Sequence, residues 1–249
     1  MISIKKIKKY YNWGGRFLTN PFHTETNRIN EIEVLKEPFR YDIINFLLNT
    51  LKRETNYLEI GVRNPSDNFN KINAISKYSV DPGIEFKENP VDFVMTSDVF
   101  FEKLINGEIL NQEIRFDIIF IDGLHLADQV ERDITNALKF IKEDGFIVMH
   151  DCNPPTEWHA RESYTYDLSP ARQYWNGTTW KAFTKTRLNQ EVTSACIDTD
   201  WGIGVITKQP VFNNLKHNLN PYFEFFILDQ NRKELLNLMS IDEFKLHFS

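Results

Sequence analysis

Short apolar runs alternate with amphipathic segments from residue 57 onward. The runs predict strands, and the segments between them predict helices, because strand and helix periodicities differ. The predicted strands are 57–62, 78–83, 91–98, 116–122 and 146–150, and the predicted helices are 67–77, 98–106 and 127–141. Near-continuous apolar strands separated by helices are typical of a parallel sheet covered on both faces. The pattern therefore predicts an α/β protein with a Rossmann-like sheet.

The two ends of the chain depart from this alternation. Residues 1–38 are mixed in character and look like an irregular arm, and an apolar face then predicts a helix at 40–52. Beyond a loop at 152–175, the sequence predicts a helix at 178–188, an antiparallel hairpin at 191–208 and a helical segment at 221–248. We therefore expect an N-terminal arm and helix (1–54) that acts as a lid or cap, followed by a catalytic domain (55–249).

Charge and cysteine content narrow the class of protein. The net charge of −6 gives no nucleic-acid signal, although residues 1–24 carry five basic residues and no acid. We interpret this end as a solvated, frayed terminus in preference to a contact with a membrane surface or an anionic acceptor. No apolar stretch is long enough for a membrane span, and no secretory signal is evident. Two cysteines without zinc spacing, Cys152 and Cys196, favour a reducing compartment, so we expect a cytoplasmic protein.

Acidic and histidine side chains follow the predicted strands. Asp122 and His125 come directly after the fourth strand, and His150 and Asp151 end the fifth. Glu59, Gly61, Asp81 and Asp98 also stand at or near strand ends. Ligands of such sheets bind beyond the carboxyl ends of the strands, near the point where strand order reverses. These residues should therefore converge on one cleft.

Four short motifs carry a resemblance to a known family: LEIGVRNP, YSVDPG, FIDGLH and IVMHD. With the order of elements, they resemble the class I S-adenosylmethionine-dependent methyltransferases over roughly residues 55–208. More narrowly, they are similar to the metal-dependent sugar O-methyltransferases of macrolide and aminocoumarin pathways. The resemblance implies methyl transfer from S-adenosylmethionine to a sugar or glycoconjugate hydroxyl, assisted by a divalent cation such as Mg²⁺ or Mn²⁺.

The same resemblance implies a role for each strand-end residue. The implied cofactor-binding residues are Glu59 and Gly61 in the first loop, Asp81 at the ribose and Asp98 beside the adenine. Asp122 and Asp151 correspond to metal ligands, and His125 corresponds to the general base. The family usually has two adjacent acids after the fifth strand, whereas this chain has His150 before Asp151. His150 either ligates a metal such as manganese, iron or zinc, or faces the core.

Several alternatives remain open on sequence alone. Asp122 could cap the following helix, His125 could bond the backbone, and Asp81 could be part of a simple turn. The long loop at 153–175 is rich in aromatic residues and is a candidate for acceptor binding. Trp175, at the end of this loop, and Trp180 are expected in the core.

Two other functions compete with the methyltransferase. One is a catalytically inactive, cofactor-binding or regulatory protein of the same fold. The other is a nicotinamide-dependent oxidoreductase, which is disfavoured because no GxGxxG follows the first strand. The expected partners are a small-molecule or glycan acceptor and a further copy of the chain in a homo-oligomer, with no nucleic acid and no membrane span.

Overall fold

The computed structural model describes residues 3–248 except 86, 87, 89 and 167. The strands are β1 (Asn56–Ile60), β2 (Ser76–Asp81), β3 (Phe93–Val94), β4 (Phe116–Ile121), β5 (Ile141–Met149), β6 (Thr193–Ile197), β7 (Ile203–Thr207) and β8 (Leu238–Met239). The helices are α1 (Ile4–Leu18), α2 (Pro21–Val34), α3 (Arg40–Thr50), α4 (Ser97–Ile105), α5 (Ala127–Phe140), α6 (Thr179–Thr186), α7 (Phe225–Gln230), α8 (Arg232–Leu235) and α9 (Ile241–Leu246).

All described strands join one sheet in the order β3-β2-β1-β4-β5-β7-β6-β8. Neighbouring strands from β3 through β5 are parallel, and β7 is antiparallel to both β5 and β6. The chain moves outward from β1 to β3 and then returns to the other side of β1 as β4. The strand order therefore reverses between β1 and β4. This confirms the predicted Rossmann-like sheet with a terminal antiparallel hairpin.

The core lies on both faces of the sheet. Every residue of β4 is buried, which explains why its sequence, FDIIFI, is nearly continuous in apolar residues. On one face α4, α5 and α6 contribute Phe100, Ile134 and Trp180 to the core. On the other face α3 contributes Leu47 and α9 contributes Phe244. Because α3 packs in this core, part of the predicted cap segment also belongs to the packing of the sheet.

Three predictions of secondary structure are wrong. The N-terminal arm is not irregular: Ser3 caps α1, Asn20 caps α2, and Pro21 takes the first position of α2, where proline is well tolerated. The predicted helix at 67–77 is only a single 3₁₀ turn, Phe69–Lys71. The predicted helical segment at 221–248 is interrupted by β8. Among the described residues, no helix is long and apolar enough to cross a membrane.

Candidate active site

The carboxyl ends of β1, β4 and β5 form one continuous edge. The Asp122 amide donates to the carbonyl of Ile60 at 2.9 Å, and the His150 amide donates to the carbonyl of Ile121 at 3.2 Å. Each strand end is thus bonded to its neighbour, beside the reversal of strand order. This edge brings Asp122, His125, His150 and Asp151 together, as the topology rule predicts.

The imidazole of His125 lies between two carboxylates. Its Nε2 atom is 3.3 Å from Oδ1 of Asp122, and its Nδ1 atom is 3.1 Å from Oδ2 of Asp151. The carbonyl of Trp175 also lies 3.2 Å from Nδ1, so the alternative of a backbone contact holds alongside the carboxylate contacts. Asp122 does not cap the following helix, because Leu126 occupies that position in α5.

His150 joins this group to two residues that the sequence analysis missed. Its Nδ1 atom lies 3.3 Å from Asp122 and 3.1 Å from Asp151. Its Nε2 atom lies 2.8 Å from Nη1 of Arg40 and 3.2 Å from Oδ1 of Asp200. Arg40 begins α3 and Asp200 lies in the β6–β7 turn, and the Arg40 amide donates to Asp200 at 2.8 Å. His150 thus contacts charged groups on both sides.

A short segment after the long loop holds the site from one side. Asn176 is fully buried and its Nδ2 atom donates to Oδ1 of Asp151 at 2.7 Å. The Trp175 ring stacks on His125 with centroids 5.2 Å apart, and Trp175 is only half-buried, so its predicted core position is wrong. Thr178 donates its amide to the carbonyl of His125 at 2.7 Å, and its hydroxyl accepts from the first amide of α5. The fully buried Trp180 is in the core, as predicted.

The electrostatics of the site favour a bound cation. Burial alone lowers the pKa of His125, but Asp151 and Asp122 outweigh it and raise the pKa from 6.5 to about 9. Burial also lowers the pKa of His150, and the carboxylates of Asp151, Asp122 and Asp200 raise it well above its usual range. These raised pKa values favour a proton on each imidazole, so three carboxylates balance Arg40 and two imidazolium groups. A divalent cation would take the place of those two protons.

The donor atoms also fit a cation. Asp122, His125 and Asp151 each offer one ligand atom within 4.8 Å of the others, in a search of the described residues. Oδ1 of Asn176 is buried and has no hydrogen-bond partner, while the other end of the same amide orients Asp151. Carboxylate oxygens suit Mg²⁺ and Mn²⁺, and an imidazole shifts the preference toward transition metals.

Three of the candidate cofactor-binding residues lie near the ends of β1 and β2 and at the start of α4. The Gly61 amide donates to the carbonyl of Val80 at 2.9 Å, which places Gly61 beside Asp81 at the end of β2. Asp81 accepts from the Gly83 amide at 2.6 Å, so a turn does form there. Asp98 lies in the first turn of α4, where it pairs with Arg132 at 3.2 Å.

Glu59 is placed differently from the other cofactor candidates. It is buried within β1 and accepts hydrogen bonds from the hydroxyl of Tyr57 at 2.5 Å and from Nδ2 of Asn68 at 2.8 Å. Burial raises the pKa of Glu59 from 4.5 to about 7, against the effect of these two donors. Its carboxyl group therefore titrates near neutral pH inside the protein.

Comparison with known families agrees with the fold. The family model described as a methyltransferase domain matches residues 67–152, a segment that contains Asp81, Asp98, Asp122, His125 and Asp151. This match and the strand order agree with the prediction of a class I S-adenosylmethionine-dependent methyltransferase. No curated protein matches this chain.

Solved structures of other methyltransferases are similar at low identity. An O-methyltransferase from Bacillus cereus in complex with S-adenosylhomocysteine is 16% identical, over 77% of this chain and 94% of that one, with a TM-score of 0.42. The O-methyltransferase TomG from Streptomyces achromogenes, involved in tomaymycin synthesis, is 12% identical, over 83% and 99%, with a TM-score of 0.42. MycE, from the mycinamycin pathway, is 14% identical, over 70% and 49%, with a TM-score of 0.41. At these values the similarities carry no information on the substrate.

Proposed function

We propose that this methyltransferase transfers the methyl group of S-adenosylmethionine to a hydroxyl of a sugar or glycoconjugate, with a divalent cation held by Asp122 and Asp151. The observation that carries the proposal is the meeting of Asp122, His125 and Asp151 at the reversal of strand order. A nucleoside cofactor is expected at this place in the sheet. We assign Glu59, Gly61, Asp81 and Asp98 to cofactor binding.

The chemistry needs an aligned oxygen and a place for its proton. The acceptor oxygen forms a bond to the methyl carbon, the bond from carbon to sulfur breaks, and S-adenosylhomocysteine leaves with the electron pair. A divalent cation would orient the acceptor hydroxyl and lower its pKa. Holding the reactants in line contributes up to about 7–11 kcal/mol in the most favourable cases.

We assign His125 as the general base that accepts the proton of the acceptor hydroxyl. With a pKa of about 9, His125 already holds a proton at neutral pH when only Asp122 and Asp151 surround it. A cation bound by these carboxylates would repel the proton on His125. It would therefore lower the pKa of His125 toward neutral pH, where the imidazole can act as a base. Trp175 and Thr178 fix the position of the imidazole. His150 is proposed as a further ligand, or as the link from the site to Arg40 and Asp200.

We further propose that residues 1–54 act as a lid or cap on a catalytic domain at 55–249, and that the loop at 153–175 contacts the acceptor. The protein acts in the cytoplasm, does not bind nucleic acid and can form a homo-oligomer.

Binding measurements on the purified protein test this proposal without knowledge of the acceptor. We expect S-adenosylhomocysteine, but not NAD, to raise the melting temperature. We expect Asp122→Asn to weaken Mn²⁺ binding at least about tenfold while S-adenosylhomocysteine affinity stays nearly unchanged. Asp128→Asn is the matched control, because Asp128 is exposed in the first turn of α5 and outside the site.

Three results would contradict the proposal in different ways. Stabilisation by NAD alone would favour an oxidoreductase. Equal Mn²⁺ affinity in Asp122→Asn and Asp128→Asn would show that Asp122 does not hold the cation. The third result is a protein that binds S-adenosylhomocysteine tightly yet forms none of it from S-adenosylmethionine with any of a panel of glycosides and nucleotide sugars. That result would favour the inactive cofactor-binding alternative.

A further inference from the structure

Helix α1 exposes an apolar face that nothing in the described part of the chain covers. No residue of α1 is buried. Ile4, Ile7, Tyr11 and Leu18 are spaced by three, four and seven residues, so they lie along one side of the helix. Ile4 is 85% exposed and Tyr11 is 81% exposed. Exposed apolar residues grouped along one side of a helix are a feature of binding surfaces.

The other side of α1 is basic. Lys5, Lys9 and Arg16 lie opposite the apolar residues, with Lys8 beside them. Residues 1–24 hold five basic and no acidic residues, whereas the remaining 225 residues hold 24 basic and 35 acidic ones, a net charge of −11. The positive charge is therefore concentrated on the same helix as the exposed apolar face.

We propose that α1 lies on the surface of an anionic lipid bilayer. An amphipathic helix with a basic side is suited to the boundary between headgroups and acyl chains. Tyr10 is 57% exposed and lies at the border between the apolar and basic sides, and such rings favour the headgroup level. Basic residues add attraction to anionic headgroups.

A second copy of the chain is a less suitable occupant. Two paired α1 helices would gather ten basic residues, and neither helix carries an acid to offset them. A bilayer covers the apolar residues, and the long lysine and arginine side chains can reach its anionic headgroups from the polar side of the helix. Charge complementarity thus favours the lipid surface.

Helix α2 connects α1 to the site. The ring of Phe17 in α1 contacts His23 of α2 at 4.2 Å. Oδ1 of Asn30 in α2 lies 2.7 Å from Nε2 of the buried His159, whose carbonyl accepts from the Asn176 amide. These contacts lead from α1 to Asn176, the residue that orients Asp151.

Co-sedimentation of the full chain with vesicles tests the proposal. The vesicles contain phosphatidylcholine alone or with about one third phosphatidylglycerol. We expect binding to the anionic vesicles to be at least about tenfold tighter, and to weaken as salt is raised. The apolar-face variant Ile7→Glu/Leu18→Glu and the basic-face variant Lys5→Gln/Lys9→Gln/Arg16→Gln should each lose at least about tenfold.

The controls separate lipid binding from misfolding and from self-association. Ile75→Glu changes an exposed isoleucine outside α1 and should bind vesicles like the wild type. No variant removes a buried group, so all should keep the wild-type melting temperature. Equal binding to neutral vesicles, no binding, or binding unchanged by the α1 variants would overturn the proposal. A dimer in light scattering that Ile7→Glu/Leu18→Glu dissociates, without lipid binding, would assign the face to a second copy.

Discussion

A single methyl group added at Gly61 should disturb the packing of the site. It has φ +88°, and a Cβ there would lie 2.2 Å from the carbonyl oxygen of Asp122 and 2.5 Å from Cα of Gly123. Both contacts are with backbone atoms, which cannot rotate away. The glycine therefore lets the end of β1 pack directly against the residue that we assign to the cation.

The magnitude follows from two contributions. An L-residue at this φ costs about 1–2 kcal/mol, and forcing backbone apart in a packed region costs about 1–3 kcal/mol more. We therefore expect Gly61→Ala to lower the free energy of unfolding by about 2–5 kcal/mol, against a typical total of about 5–15 kcal/mol. The displaced Asp122 should also weaken Mn²⁺ binding at least about tenfold.

Urea unfolding followed by circular dichroism measures the first effect, and calorimetric titration with Mn²⁺ measures the second. Gly123→Ala is a matched control at the end of β4, where the nearest atom to an added Cβ is the flexible end of Ile60 at 3.7 Å. It should stay within about 0.5 kcal/mol of the wild type. If the two variants proved equally stable, the close packing of β1 on Asp122 would be refuted as the reason for the glycine.

Two further predictions concern pH. In the cation-free protein, an NMR titration should give His125 a pKa near 9, and Asp151→Asn should lower it. Because this pKa is raised on folding, the stability from protonated His125 is fully present below pH 6.5 and is lost as pH rises through 9. A measured pKa near 6.5 for His125 would contradict this prediction. The pKa of Glu59 is raised from 4.5 to about 7, so the free energy of unfolding should fall as pH rises between those values. Chemical denaturation should show the wild type losing up to about 3 kcal/mol over this range relative to Glu59→Gln. A difference that does not change with pH would show that Glu59 is not buried as a neutral acid.

Local pattern was misleading at the N-terminus and after β1. Residues 1–38, which include Gly14, Gly15 and Pro21, were expected to form an irregular arm. Pro21 instead begins a helix, and a Cβ at either glycine would meet no atom within 4 Å. In the opposite case, the predicted helix at 67–77 does not form, and Asn68 instead bonds the buried Glu59. Side chains that bond distant partners cannot be identified from periodicity.

The sheet and half of the site follow from the residue pattern. Buried strands such as FDIIFI need apolar residues on both faces, and parallel strands place their carboxyl ends at one edge, so Asp122, His125, His150 and Asp151 could be expected to meet. Arg40, Asp200 and Asn176 join them only through the packing of distant parts of the chain. Asp200 arrives because β7 runs antiparallel to β5, which turns the β6–β7 connection back to the carboxyl edge, and Arg40 arrives because the apolar face of α3 packs on the sheet. These residues are 110, 50 and 25 positions from His150 or Asp151 along the chain, and no local pattern encodes such contacts.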